Sequence, residues 1–489
     1  MSDTSRDYDV VVIGAGPAGE NVADRTSAAG LTSVIVENEL LGGECSFWAC
    51  EPSKALLRPV VARTDARRVP GLRRAVEGPL DVPAVFAYRD KMCIYWTDDD
   101  QVDWLDSVSV DLVRGHGRLD GPRQVVVETP DGGTVRLNAR HAVVVSTGTV
   151  TAFPDLPGLK DVRPWTNREA TSARHVPNRL VVVGGGVVAV EMATAWQALG
   201  SRVTMLVRGN AVLSRMEPFA GEMVADALRE AGVDLRFGTA VTDVARQDGP
   251  DGPVRVGLSQ GDPLVAEEIL FATGRAPHTA DLGLETVGLT PGDWLAVDDS
   301  YRVSAVEDGW LYAVGDVNHR ALMTHQGKYQ ARIAGAVIGA RAKGEPLDDG
   351  RWGAHAPTAD REAVPQVVFT DPDVADVGLT TMEAERTGRN VDVVDYDIGR
   401  VAGAVQYAEG YRGKARVLID RDRGTVVGVT FVGPGVQELL YSATVLITSE
   451  APVERLWHAV PAFPTISEVW LRILETYRDR DRQQTGTAG

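Results

Sequence analysis

Apolar residues fall along this chain in short runs, each closed by a glycine-rich corner and followed by a longer stretch of helical character. Asp9–Ile13 (DVVVI) reads as a short buried strand. It runs into Gly14-Ala15-Gly16-Pro17-Ala18-Gly19, then into a helical segment ending at Ala29, and a second strand, Ser33–Val36, ends in Glu37. The same order returns at Leu180, in LVVVGGGVVAVEMATAWQALG, followed by the strand Arg202–Val207. Two strand–glycine–helix–strand units predict an α/β fold with two Rossmann-like dinucleotide-binding domains. Between them, Pro59 to about Val110 reads as mostly helical and linker-like. From Leu112 short strands alternate with turns, Thr129–Gly133 marks a hairpin, and Ala142–Ser146 is a strand ending in Thr147-Gly148. Gly344–Ala363, polar and rich in Gly, Pro and Asp, reads as a linker. Strands are expected again at Lys414–Ile419 and Val426–Val432, helices at Gln437–Ile447 and Ser467–Tyr477, and a frayed tail after Arg478.

The glycines carry the first chemistry. At Gly14, Gly16 and Gly19 they let the backbone approach a pyrophosphate, and the helix opening at Pro17 and Ala18 offers its first amides to that charge. Glu37 stands about where an acid would accept ribose hydroxyls. A bare strand–helix turn is the competing reading, and the strand, helix and terminal acid together weigh against it. In the second unit the corner is Gly184-x-Gly186-Val187-x-Ala189, with alanine in the tolerated third position. Its second strand ends in Arg208 instead of an acid, and Arg215 follows nearby. A guanidinium matches a 2′-phosphate, which favours NADPH over NADH; an exposed loop arginine is the alternative.

Cys45 and Cys50 have four residues between them and stand after Gly42-Gly43 and before Pro52-Ser53-Lys54. One helical turn brings such positions near each other, and a helix N-terminus lowers a thiol pKa. This reads as a redox-active disulfide, with a static disulfide or two idle thiols as alternatives. Cys93 reads as a small buried residue, and Asp98-Asp99-Asp100 as a solvated surface without metal-ligand spacing.

Composition narrows the rest. A chain of 489 residues exceeds one core, and 44% hydrophobic with 24% charged residues fits a globular protein. A net charge of −18 argues against nucleic-acid or anionic-membrane binding. Three cysteines are too few for a secreted disulfide framework, and the polar start MSDTSRDYD has no signal core. No apolar run approaches the roughly 20 residues of a membrane span, so a cytoplasmic location is expected.

The segment GGECSFWACEPSKALL resembles the active-site signature of the FAD-dependent pyridine nucleotide–disulfide oxidoreductases of class I, the group of glutathione reductase, dihydrolipoamide dehydrogenase and mercuric reductase. It departs from the family pattern at Glu44, Glu51, Phe47 and Trp48. The resemblance spans about Tyr8 to Tyr477. It implies an FAD domain with the redox disulfide at 1–150, an NAD(P)H domain at 151–277, a return to the FAD domain at 278–350, and a C-terminal α+β dimerisation domain at 351–489. It further implies that Cys50 is the flavin-proximal thiol and Cys45 the interchange thiol, with Lys54 and Glu191 as an ion pair beside flavin N5. Gly43, His116-Gly117 and Thr147-Gly148 match FAD-contacting positions. Gly274-Arg275 lies in the segment closing the second unit, and Gly315-Asp316 matches the motif that binds the ribitol. Met323, Thr324 and His325 open a helix aimed at the flavin N1–O2 edge, His325 as a neighbour through its backbone.

The same resemblance implies a homodimer in which a His–Glu pair from a second copy completes the site. The matching segment is Phe463-Pro464-Thr465-Ile466-Ser467-Glu468, which keeps Glu468 and puts Phe463 at the base position. A phenyl ring neither gives nor takes a proton; the base it replaces is worth roughly 100- to 10,000-fold in rate. His458 reads as a surface or interface histidine. Phe463, Phe47 and Trp48 are expected to line an aromatic pocket. Mercury reduction is disfavoured, because no cysteine follows Cys93. The expected activity moves electrons from NADPH, or NADH, through FAD and the cysteine pair to a small-molecule disulfide or other oxidant. The alternatives are a diaphorase reducing quinones directly from the flavin, and a non-catalytic redox sensor.

Overall fold

The computed structural model describes residues 4–249 and 251–486. The chain divides into two compact units: Met1–Pro52, Arg89–Ala152 and Gly274–Asp360 form one, and Ser53–Tyr88, Phe153–Thr273 and Arg361–Gly489 the other.

In the first unit β1 (Thr4–Ile13), α1 (Pro17–Ala28) and β2 (Ser33–Glu37) form the expected strand–helix–strand corner. The short helix α2 (Gly43–Phe47) follows, and the long helix α3 (Cys50–Arg67) starts in this unit, its residues from Ser53 on belonging to the second. A seven-stranded sheet runs in the order Val110–Arg114, β2, β1, Thr134–Val145, Gln124–Glu128, His116–Leu119, and Leu311–Ala313 also pairs with Thr134–Val145. Its β1–β2 half is parallel, and the Gln124–Glu128 hairpin is antiparallel. Successive residues of β1 point to opposite faces, yet both faces are buried. Val11 and Ile13 pack with Val34, Val143 and Leu311; Val10 and Val12 pack with Val22, Ile35 and Val337. An unbroken β-branched run is what a strand covered on both sides requires.

The second unit contains a four-stranded sheet ordered Asp234–Phe237, Arg202–Val207, Arg179–Val183, Glu268–Phe271, which is parallel throughout. The helix Val187–Leu199 covers it. A five-stranded antiparallel sheet follows, with Thr425–Gly433, buried at every position, at its centre. This is the α/β architecture with two Rossmann-like sheets and a C-terminal α+β portion.

Three details depart from the sequence reading. Asp98 is buried, because its carboxylate accepts from the Leu41 amide (2.8 Å) and pairs with Arg114 (2.7 Å); only Asp99 and Asp100 are exposed. The last helix runs from Val469 to Gly486 instead of fraying after Arg478. Phe47 is fully buried, so its ring belongs to the interior and forms no pocket wall. Among the described residues no helix is long and apolar enough to cross a membrane.

Candidate active site

The glycine corner between β1 and α1 is built for close approach. Gly14 has φ +100°, and a Cβ there would meet the Ser146 carbonyl oxygen at 2.5 Å. A Cβ on Gly19 would lie 1.9 Å from the Gly14 carbonyl oxygen, so α1 packs on the corner with no space for a methyl. A Cβ at Gly16 would meet nothing within 4 Å. The middle glycine therefore faces open space while its neighbours close the turn, which is the arrangement a pyrophosphate needs. Pro17 and Ala18 begin the helix behind it. Glu37, at the end of β2, accepts from the Ala15 amide (2.8 Å) and the Glu39 amide (2.7 Å); burial pushes its carboxyl up and these hydrogen bonds oppose the shift. Thr147 Oγ1 is buried and has no partner among the described residues. Gly117, in the strand His116–Leu119, packs against Val36. Gly43 opens α2 against Gly16, and Gly148 precedes the strand Thr149–Thr151. These features fit the adenosine and pyrophosphate parts of FAD.

A polar chain that local sequence patterns do not announce joins four distant segments of this unit. Glu44, in α2, pairs with Arg275 at 2.6 Å. Arg275 donates to Thr149 Oγ1 (2.9 Å) and to the Thr149 carbonyl (2.7 Å), and Thr149 Oγ1 donates to Asp316 (3.0 Å). Burial pushes Asp316 up, against the pull of Thr149 and Arg275. Gly274 leads into the strand Arg275–Pro277, which pairs antiparallel with Thr149–Thr151. The Gly315 amide donates to Gln330 at 2.8 Å, which fixes the turn before Asp316.

The cysteines meet at the same unit's longest helix. Cys45 lies inside α2 and Cys50 opens α3. Both carry thiols here, hydrogen-bonded to each other. The helix Thr324–Lys343 starts at Met323, and Thr324 Oγ1 donates to Cys45 Sγ at 3.0 Å and lies 3.3 Å from Cys50 Sγ. The Cys45 thiol is held well above the ordinary range, first by its hydrogen bond to Cys50 and then by burial, while Thr324 pulls it down. His325, next along, is exposed. Cys93 is buried, and burial pushes its thiol up to about 12. The Trp96 indole donates to the Phe47 carbonyl at 3.0 Å, which holds the end of α2.

In the second unit Lys54 Nζ pairs with Glu191 at 2.7 Å. Glu191 is 3% exposed, and its other oxygen accepts from the Phe369 amide at 3.0 Å. A buried carboxylate with both oxygens satisfied holds one geometry. Gly184, Gly186 and Val187 form the corner before the helix Val187–Leu199; a Cβ at Gly186 would meet nothing within 4 Å, and Ala189 is fully buried. Arg208 follows its strand and is exposed, as are Arg215 and His458. Glu468 is buried, pairs with Arg472 at 2.6 Å, and keeps Oε2 unpartnered among the described residues. Phe463 is 76% exposed.

A doubly Rossmann-like chain with a dithiol at a helix start defines a flavin- and nucleotide-dependent disulfide oxidoreductase. Residues 8–332 match the family model of pyridine nucleotide-disulphide oxidoreductases, and residues 364–473 match the dimerisation domain of the same family. The chain belongs to this family, and it is an oxidoreductase of the FAD- and NAD(P)H-dependent disulfide class. It is 30% identical to a mercuric reductase of Shigella flexneri, across 98% of this chain and 82% of that protein. It is 31% identical to dihydrolipoyl dehydrogenase 3 of Pseudomonas aeruginosa, across 94% and 96%. Among solved structures, the HOCl-induced flavoprotein disulfide reductase RclA of Escherichia coli superposes with a TM-score of 0.80 at 22% identity, across 96% of this chain and 99% of that one. LpdA of Mycobacterium tuberculosis gives 0.80 at 24%, across 96% and 99%.

Proposed function

We propose that this protein passes electrons from NADPH through FAD to the Cys45–Cys50 pair and on to a small-molecule disulfide or another oxidant, working as a homodimer in the cytoplasm. The compartment is read from the three cysteines in 489 residues, and the dimer from the matched dimerisation domain. The observation that carries the reading is the placement of two sulfurs on one hydroxyl at the start of a long helix. FAD, when bound, supplies the two-electron link between nicotinamide and sulfur. Glu37 and Asp316 serve its sugar hydroxyls, the amides opening α1 serve its pyrophosphate, and the Lys54–Glu191 pair orients the reacting rings. Arg208 offers a guanidinium to a 2′-phosphate.

At the dithiol, the Cys45 thiolate attacks one sulfur of the acceptor. The acceptor S–S bond breaks, a mixed disulfide forms and one thiolate leaves. The Cys50 thiolate then attacks Cys45 Sγ, closing the internal disulfide and releasing the second thiolate. Two electrons pass to the acceptor, and the two thiol protons end on the released thiols. Because Phe463 stands where an imidazole would protonate the leaving group, acceptors whose thiols leave without help are favoured. That same residue supports a second reading, direct reduction of a quinone by the flavin.

Anaerobic titration of the purified protein with NADPH and with NADH tests the proposal. Uptake of more electrons than a flavin alone holds, with NADPH the better donor, is expected. Cys45→Ser should abolish disulfide turnover; quinone turnover that survives it would favour the second reading. A bound flavin that neither nucleotide reduces would sink both and leave the redox sensor.

A further inference from the structure

The helix Asp99–Ser107 has no part in the redox site. It carries Asp99, Asp100, Asp103 and Asp106 and no basic residue, and it holds Trp104 with 36% of its surface exposed. Together with α1 and the helix Thr324–Lys343 it walls a cleft of about 310 Å³, lined by Glu20, Asn21, Asp100, Gln101, Trp104 and Lys328. All six residues belong to the first unit. The cleft shares none of them with the dithiol or with the polar chain from Glu44 to Asp316. Its volume is that of a small-molecule site.

Two oxygens in the wall are left over. Glu20 Oε1 and Gln101 Oε1 are shielded from water, and neither has a hydrogen-bond partner among the described residues. Asn21 is turned to its own helix, where its amide donates to the Pro17 carbonyl at 2.9 Å. Burial pushes the Glu20 carboxyl up to about 7; Lys328 pulls it down and Glu37 pushes it further. A carboxyl in this setting gains most from a donor that brings its own positive charge. Both oxygens sit on broad terminal torsions, so a small rotation turns them to a donor in the cleft. The Trp104 ring offers a face for a cation and for an alkyl chain. We propose that this cleft binds a small organic cation, a primary alkylammonium that donates to Glu20 and Gln101 and lays its chain against Trp104. The acids of the helix Asp99–Ser107 concentrate cations at its mouth, and Lys328 keeps the affinity modest. An anion would meet Glu20 and Asp100. A bare metal ion would gain nothing from the indole, and among the described residues no three acidic, histidine or cysteine side chains gather to hold one.

The test is isothermal titration calorimetry of the purified flavoprotein with n-butylammonium chloride at constant ionic strength, with n-butanol as the uncharged comparator. The expected result is saturable binding at one site with a Kd of about 1 mM or tighter. Butanol should bind at least about tenfold more weakly, the usual weight of a hydrogen bond to a charged group. Glu20→Gln keeps the shape and removes the charge, and should weaken the ammonium about tenfold. Trp104→Ala should weaken it about threefold. Lys328→Met, which removes a like charge, should tighten it about threefold. Glu222→Gln, at an exposed acid in the second unit, should leave the affinity within about twofold. Heats that do not saturate by about 20 mM overturn the proposal. So does a Glu20→Gln protein that binds like wild type, or a Glu222→Gln protein weakened to the same degree, since either means attraction by overall charge alone. If Glu20→Gln does not fold, the other two variants decide: opposite shifts at Trp104 and Lys328 support the site, and shifts that are absent or of one sign overturn it.

Discussion

Phe463 is the residue at which we propose that chemistry and family pattern part. Its ring is largely exposed in the single chain, and it has no proton to give. Replacing it with histidine should raise turnover of generic disulfides by at least about 100-fold, the low end for a positioned acid–base group. A new limb near about pH 6.5, the ordinary imidazole range, should appear in the rate–pH profile. Steady-state rates across pH 5 to 9 for wild type and Phe463→His decide it; an unchanged rate and profile would mean that this position does not serve the thiols. Arg208 is the matching test at the nucleotide end. Arg208→Ala should raise KM for NADPH about tenfold and leave KM for NADH within about twofold, as expected for loss of one charge-assisted phosphate contact. Equal effects on both nucleotides would reduce Arg208 to a surface residue.

At the scale of elements, the corner between β1 and α1 is set by contact distances shorter than any side chain allows. Gly19→Ala would drive a methyl into the Gly14 carbonyl at 1.9 Å. The expected outcome is loss of bound flavin, read as the ratio of absorbance at about 450 nm to that at 280 nm in purified protein, with α1 displaced or the protein insoluble. A yellow Gly19→Ala protein with full flavin content would contradict the packing described. This corner was legible in the sequence because a strand, three glycines, a helix and a terminal acid lie within one short stretch. The Lys54–Glu191 pair was legible only through resemblance, since its partners are 137 residues apart. The Glu44–Arg275–Thr149–Asp316 chain was not legible as a network. Glu44 and Arg275 are separated by 231 residues and Arg275 and Thr149 by 126, and no local periodicity encodes such pairings. Asp98 misled for the opposite reason: its acidic neighbours do face water, and the amide and guanidinium that bury it come from elsewhere. Thr324 was placed at the helix start, but the direction of its hydroxyl depended on two cysteines far away in the chain.

Across the whole molecule, several buried and half-buried carboxyls tie stability to pH. Burial, then Glu383 and Glu217, push Asp376 from the ordinary 3.8 up to about 7, and one of its oxygens lacks a partner among the described residues. Glu20 and Asp373 are also pushed to about 7, chiefly by burial. A folded-state value above the unfolded one means that the native protein takes up the proton first as pH falls. At pH 8 the group is ionised in both states and the native state bears the cost; between about 7 and 4 that cost is progressively relieved. Asp376→Asn should therefore stabilise the protein by about 1–2 kcal/mol at pH 8 and by little at pH 5. Denaturant melts of both proteins at the two pH values check this, and a pH-independent difference would point to packing instead of charge. The double α/β plan was readable from the sequence at this scale. The extension of the last helix to Gly486 was not, because its final turns are polar and carry no apolar face to announce them.

The two nucleotide corners look alike on paper and differ in their third place. One has a glycine in its third place and excludes even a methyl; the other already carries Ala189. A library of random variants would thus come back almost blank at 14 and 19 in the first corner and at 184 in the second, where φ is +136° and a Cβ would lie 2.3 Å from the Ala272 carbonyl oxygen.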